Sequence, residues 1–166
     1  MTRSDLLAEN MRIALRRLAQ TVAVITTRHD NQRIAMAATA VSSLSLDPPA
    51  MLVSVNRTAS IYPALRAGER FCINILSVEQ RSVAHACGGA LKGEDRFGVG
   101  AWRDQGDVPV LEGAQARLLC QQDGFMNYGS HGMFIGRVFA VGTTEEIAPL
   151  VYADGQFFGL QERCLS

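Results

Sequence analysis

Few side chains in this sequence are placed to do chemistry on their own. Glu94 and Asp95 are adjacent rather than opposed, so they read as solvated loop charges more readily than as a general acid/base pair. His29, His85 and His131 are far apart, and the His85-Ala86-Cys87 triplet has no second half that would complete a metal site. Cys72, Cys87, Cys120 and Cys164 form no CxxC pair; without an export signal they read as reduced, partly buried thiols. GxGxxG, P-loop, GxSxG and HExxH patterns are all absent. What remains is chemistry brought by a bound cofactor, with the chain supplying binding and orientation. The stretch suited to that is Ala35–Asn56. Its small residues leave backbone N–H groups accessible to something flat or anionic, and its hydroxyls add donors beside them.

The elements that would position this stretch follow from periodicity. Ser4 is a plausible N-cap for a helix to about Gln20, with Leu7, Met11, Ala14, Leu15 and Leu18 on one stripe and Arg12, Arg16 and Arg17 on the other side. Residues 21–27 read as a strand followed by a turn at His29–Gln32. The Ala35–Asn56 stretch supplies two more, the first ending by Asp47 because Pro48 lacks a backbone donor. Ser60 could cap a short helix ending at Gly68, and residues 70–76 form a strand. Ser77 with Gln80 gives a capping-box pattern for a helix stopped by Gly88-Gly89. Residues 90–113 read as a long loop, of the kind that is often functional or mobile. Residues 116–123 and 133–141 read as strands, and the chain closes in a hairpin around Asp154-Gly155. Short strands with few helices indicate a mainly antiparallel barrel or sandwich.

Composition sets the outer limits. The 166 residues suit one domain spanning 1–166, and 48% hydrophobic against 19% charged residues fits a packed core. Sixteen basic residues balance sixteen acidic ones, so no global field favours nucleic acid or an anionic membrane. Neither a signal peptide nor a membrane-spanning run is visible, which points to a cytoplasmic protein.

The ordered blocks AATAVSSLSLDPP, LVSVNRTAS, FCINIL, EDRF, GSHGMFIGRV and PLVYADGQFF resemble the small flavin reductase family, over roughly residues 10–160. That family comprises the NAD(P)H:flavin oxidoreductase components of two-component flavin monooxygenases, of the 4-hydroxyphenylacetate and phenol hydroxylase reductase type. The resemblance implies a split β-barrel (an FMN-binding, Greek-key antiparallel barrel with a few flanking helices) and a homodimer with flavin near the subunit interface. It implies FMN or FAD as flavin and NADH or NADPH as hydride donor, with a slight lean to NADH. A separate oxygenase component would receive the reduced flavin.

Residue by residue, the resemblance places Met36, Ala38, Thr39, Ala40, Val41, Ser42 and Ser43 along the isoalloxazine and ribityl chain, where backbone donors face the ring. Ala37 stands where the family often has threonine, which removes a side-chain bond there. Asn56, Arg57, Thr58 and Ser60 match the segment that meets the flavin phosphate, and Arg96 and Phe97 match an arginine on phosphate and a phenylalanine on the ring. His131 is placed beside the nicotinamide as the catalytic candidate, with Tyr152 and Phe157 covering the nicotinamide face. Plain structural readings stand beside these: an N-cap for Ser60, a solvated charge for Arg96, a strand-edge histidine for His131, and core packing for Tyr152 and Phe157. The 90–113 segment would be a gate for flavin exchange. Rival readings are a reductase with tightly bound flavin serving another acceptor, such as a corrinoid or a metal chelate, and a non-catalytic flavin-binding protein.

Overall fold

A computed structural model describes residues 2–160, which places Cys164 outside the described residues. The first helix, α1 (Arg3–Leu15), leads to a two-residue strand β1 (Gln20–Thr21). Thr2, not Ser4, is its N-cap: the Thr2 hydroxyl accepts from Asp5 N–H, and the Asp5 carboxylate accepts from Thr2 N–H in return. The helix ends at Leu15, short of the expected Gln20.

Strands β2 (Ala23–His29) and β3 (Gln32–Ala38) form a hairpin through Asp30 and Asn31, with φ of 48° and 62°. Positive φ at both loop residues is the geometry that matches strand twist, and Asp and Asn tolerate it. Next come β4 (Val41–Leu46), β5 (Pro49–Asn56), the short helix α2 (Tyr62–Arg66) and β6 (Arg70–Ile75). Helix α3 (Arg81–His85) follows a 3-10 turn in which Gln80 accepts from Ser77 N–H at 3.1 Å, and it runs into a π-helical turn over Ala86–Ala90. Gly89, at φ 125°, turns the chain out of it.

The 90–113 region is not a loose loop. It contains a 3-10 helix over Gly93–Gly98 and the hairpin β7 (Trp102–Gln105) and β8 (Val108–Leu111), and every residue of β8 is buried. Two long strands, β9 (Ala116–Tyr128) and β10 (His131–Thr143), reach toward each other until only Gly129 and Ser130 join them. The last hairpin is β11 (Val151–Ala153) and β12 (Gln156–Phe158), turning at Asp154-Gly155 as expected.

The main sheet has seven strands in the order β3-β2-β6-β9-β10-β5-β4. A second sheet joins β1, β11 and β12. Consecutive strands β3 and β4 therefore lie at opposite edges of the main sheet, joined by Thr39 and Ala40 alone. Laid flat, six gaps of about 4.8 Å would separate those edges by about 29 Å. The link from Ala38 to Val41 covers only about 10–11 Å at full stretch. The sheet must curl until its edges nearly meet, although no ladder pairs β3 with β4. The single strand expected to open the Ala35–Asn56 stretch and end by Asp47 is thus two strands, broken at Thr39–Ala40.

Both faces of the curled sheet are covered. Ile25, Val53, Phe71, Ile73 and Phe134 fill the inside, with Ile61 and Leu65 around α2 packed among them. On the outer face, Val24, Ala35, Leu76 and Leu111 pack against Val83, Cys87 and Phe97. Because β2 is covered on both sides, its buried run is continuous over Ala23–Thr27 rather than alternating. The thiols of Cys72, Cys87 and Cys120 are buried and free, and burial pushes them up to about 12, 11 and 12 respectively. Thiols so protonated are poor nucleophiles.

Candidate functional site

A cleft of about 440 Å³ opens where the end of β3 meets α3 and the β11–β12 hairpin. One wall is Ala37, Ala38 and Thr39; small residues there leave the backbone close to whatever enters. The second wall is Ala84, His85, Gly88 and Ala90 from α3 and its π-helical turn. A Cβ added at Gly88 would stand 3.9 Å from Ala37 Cβ, so the two walls nearly touch at the base. Tyr152, Gly155 and Phe157 form the third side. Phe157 meets the His85 ring edge-on at 5.0 Å and the Tyr152 ring at 5.4 Å, an aromatic wall suited to a flat ligand. The volume and mainly apolar lining are those of a small-molecule site.

A second cleft, of about 610 Å³, is lined by Asn56, Arg57, Thr58, Tyr62, Arg66, Asn127 and Ser130. Asn56 Oδ1 accepts from Thr58 N–H at 3.0 Å and from the Thr58 hydroxyl at 2.9 Å, closing an Asx-type turn. Arg57 donates its N–H to Ser130 O, and the Tyr62 hydroxyl donates to Asn127 Oδ1 at 2.8 Å. Arg57 Nη1 donates to Gly129 O at 3.4 Å and Arg66 stacks 3.8 Å from the Phe125 ring centroid, and neither cation has an acidic partner among the described residues.

The sequence-derived site residues divide between these places. Ala38, Thr39, Tyr152 and Phe157 come together in the first cleft, and Asn56, Arg57 and Thr58 in the second. Ala40 lines neither cleft; its carbonyl accepts from Ser54 N–H of β5 at 2.9 Å. Met36 and Val41 pack toward the inner core, and Ser42 and Ser43 stand exposed on the edge strand β4. Val41 N–H is engaged by Thr39 O, so it is not among the donors open to a ligand. His131, exposed, sits opposite Asn56 in the β5–β10 register and shares a 2.9 Å hydrogen bond with Ser130 Oγ. It borders the second cleft rather than the first.

Three positions differ from expectation. Ser60 does not cap α2: Ile61 is the N-cap and no side chain bonds there. The Arg96 guanidinium is neither solvated nor free; it donates to Leu91 O at 2.9 Å and to Ala35 O. Phe97 is buried, edge-on to Trp102 and under Arg33 at 4.3 Å. His85 is a cleft residue that the sequence reading does not single out, since its spacing to Cys87 speaks only to metal binding. Its signal was available: it lies in the last turn of a helix that ends in Gly88-Gly89, where a chain can approach another wall closely.

The model of the flavin reductase-like domain matches residues 15–161. The chain is 34% identical over 152 residues to the reductase component of the FADH(2)-dependent resorcinol hydroxylase of Rhizobium sp. (strain MTP-10005), covering 90% of this chain and 85% of that one. It is 33% identical over 158 residues to the FMN reductase (NADH) RutF of Stutzerimonas stutzeri (strain A1501), covering 95% and 91%. Among solved structures, the styrene monooxygenase flavin reductase of Pseudomonas putida S12 superposes with a TM-score of 0.84 at 27% identity, covering 93% of this chain and 99% of that one. The chain belongs to the flavin reductase-like domain family.

Proposed function

We propose that this protein is an NAD(P)H-dependent flavin reductase that passes reduced flavin to a separate monooxygenase, with NADH the favoured donor. The observation that carries this is the first cleft: a strand end of small residues, a glycine-bearing turn and an aromatic hairpin converge on a space fit for a flat ring. Flavin, when bound, supplies the hydride-accepting chemistry. The chain's part is to hold the ring against Ala37–Thr39, cover it with Tyr152 and Phe157, and keep water out. Thr39 and Ala40 lead from this cleft toward Asn56, Arg57 and Thr58, which are placed to receive a phosphate-bearing tail, FMN or the FMN half of FAD. Similarity to RutF supports NADH and FMN, and similarity to the resorcinol and styrene enzymes supports a partner oxygenase.

The curled seven-stranded sheet is, in this reading, the split barrel of the family, working as a homodimer in the cytoplasm. The dimer would be the means by which His131, which borders the other cleft, reaches a nicotinamide. Steady-state oxidation of NADH and of NADPH against FMN, FAD and riboflavin tests the assignment. Saturable stimulation at micromolar flavin is the expected outcome. Retained flavin with oxidation independent of added flavin would point to a reductase of another acceptor. Binding without oxidation would leave a non-catalytic flavin protein.

A further inference from the structure

The family resemblance puts Arg96 on a phosphate, yet its side chain is committed to the chain's own backbone. The guanidinium donates through Nε to Leu91 O at 2.9 Å and through Nη1 to Ala35 O. These two carbonyls adjoin different walls of the first cleft in the chain. Ala35 lies on β3, an edge strand of the main sheet, two residues before the wall formed by Ala37, Ala38 and Thr39. Leu91 directly follows Ala90 of the second wall, and its N–H donates to Ala86 O, closing the π-helical turn that carries Gly88.

A reciprocal tie runs the other way. Arg33, also on β3, pairs with Glu94 and lies 4.3 Å from the Phe97 ring centroid, so the Gly93–Gly98 turn is held to β3 from both sides. Covering an edge strand in this way also satisfies backbone groups that would otherwise lack partners. Guanidinium suits the task, since its fixed fork of donors can hold two carbonyls at once, which an ammonium on a flexible stem does poorly.

We propose that Arg96 is a positioning residue of the flavin cleft: it bolts β3 to the 86–91 turn and sets the gap in which the ring lies, without touching the flavin phosphate. This rests on the flavin reductase reading above. A clamp on the ring site and a phosphate ligand differ in one respect, because only the second can distinguish FMN from riboflavin.

The test is titration of free flavins into wild-type protein, Arg96→Ala, Arg96→Lys and Glu94→Gln, well below each variant's Tm, followed by flavin fluorescence and the visible absorption band. Arg96→Ala should weaken FMN and riboflavin by the same factor, roughly tenfold or more, the scale of losing charge-assisted bonds. At saturating flavin its bound absorption band should shift toward that of free flavin, which loss of stability alone would not cause. Arg96→Lys should recover part of both affinities in step. Glu94→Gln, which loosens only the reciprocal tie, should show a smaller loss that is again equal for the two flavins, and it serves if Arg96→Ala fails to fold. Loss confined to FMN would overturn the proposal in favour of a phosphate ligand. Unchanged affinity for both flavins in Arg96→Ala, or in Glu94→Gln if that variant alone folds, would also overturn it. If wild-type protein binds no flavin, the functional reading fails first, and that outcome is visible before any variant is compared.

Discussion

His29, half-buried, carries a charge-dependent contact far from either cleft. Its Nδ1 lies 2.9 Å from Glu69 Oε1, and Asp30 stands on its other side at 3.6 Å from Nε2. The hydrogen bond to Glu69 raises the histidine above its usual 6.5, with the Asp30 charge adding in the same direction. A group whose pKa is higher folded than unfolded stabilises the fold while protonated in both states, and that contribution fades as pH rises through the folded value. Thermal melts should therefore separate wild type from Glu69→Gln most clearly near about pH 5.5, where His29 is charged, and hardly at all near about pH 8.5. A gap that grew with pH would contradict this origin. Residue roles of this kind were poorly legible in the sequence. Asn56, Thr58, Tyr152 and Phe157, which line the two clefts, stand out in the sequence only because their neighbours carry a family pattern. The cap expected at Ser60 falls at Ile61, and His85 goes unnoticed as a cleft residue, because capping and ring packing depend on where a turn ends, which spacing alone does not place to within one residue.

At the scale of elements, Asn74 shows how one buried amide ties a hairpin to the sheet. Fully buried on β6, it donates to Val24 O at 2.9 Å and to Thr26 Oγ1 at 3.1 Å, and its Oδ1 accepts from Leu111 N–H at 2.8 Å. Thr26 in turn donates to Pro109 O. These bonds fasten β8 to the outer face, where Val108 and Val110 bury against Cys72 and Leu119. Asn74→Ala orphans the buried Leu111 N–H, at ~1–3 kcal/mol, and removes the two bonds donated to Val24 O and Thr26 Oγ1, at ~0.5–1.5 kcal/mol each. Chemical denaturation should show a loss of about 2–6 kcal/mol, a large share of the ~5–15 kcal/mol that holds a typical domain together. A loss below about 1 kcal/mol would mean that water or a shifted backbone replaces the amide. The same network explains why 90–113 read as a loop. Its polar stretches mark the turns, but the burial of Val108–Leu111 depends on a partner thirty-odd positions away that no local pattern reveals. Hairpins closed by Asp30-Asn31 and Asp154-Gly155 were legible, because positive φ makes its demand within the turn itself. The break at Thr39–Ala40 was not legible, since an extended chain that crosses between sheet edges keeps the alternation of a single strand.

For the whole molecule, the unresolved demand is the apolar side of α1. No residue of this helix is buried within one chain, while Leu7 is 70% and Met11 60% exposed, and Leu15 and Leu18 continue the stripe. A thirteen-residue helix is marginal alone in water and normally relies on packing of its apolar side. Here one end is anchored: Arg16 Nε pairs with Asp154 Oδ1 at 2.7 Å, and Asp154 N–H donates to Arg16 O at 2.9 Å. Those bonds fix α1 to the β11–β12 turn beside Tyr152 and Gly155, at the mouth of the first cleft. A second copy of the chain is the partner that symmetry offers for such a surface, since one patch then covers itself. Light scattering should give about twice the 18.0 kDa chain mass, and Met11→Glu, which puts a charge in the middle of the stripe, should shift the protein toward monomer. If the dimer completes the flavin site, the same variant should lose flavin affinity in proportion to its loss of dimer, and raising the protein concentration should restore both together. A wild-type monomer with full flavin reductase turnover would show that α1 meets some other surface and that the cleft within one chain is sufficient.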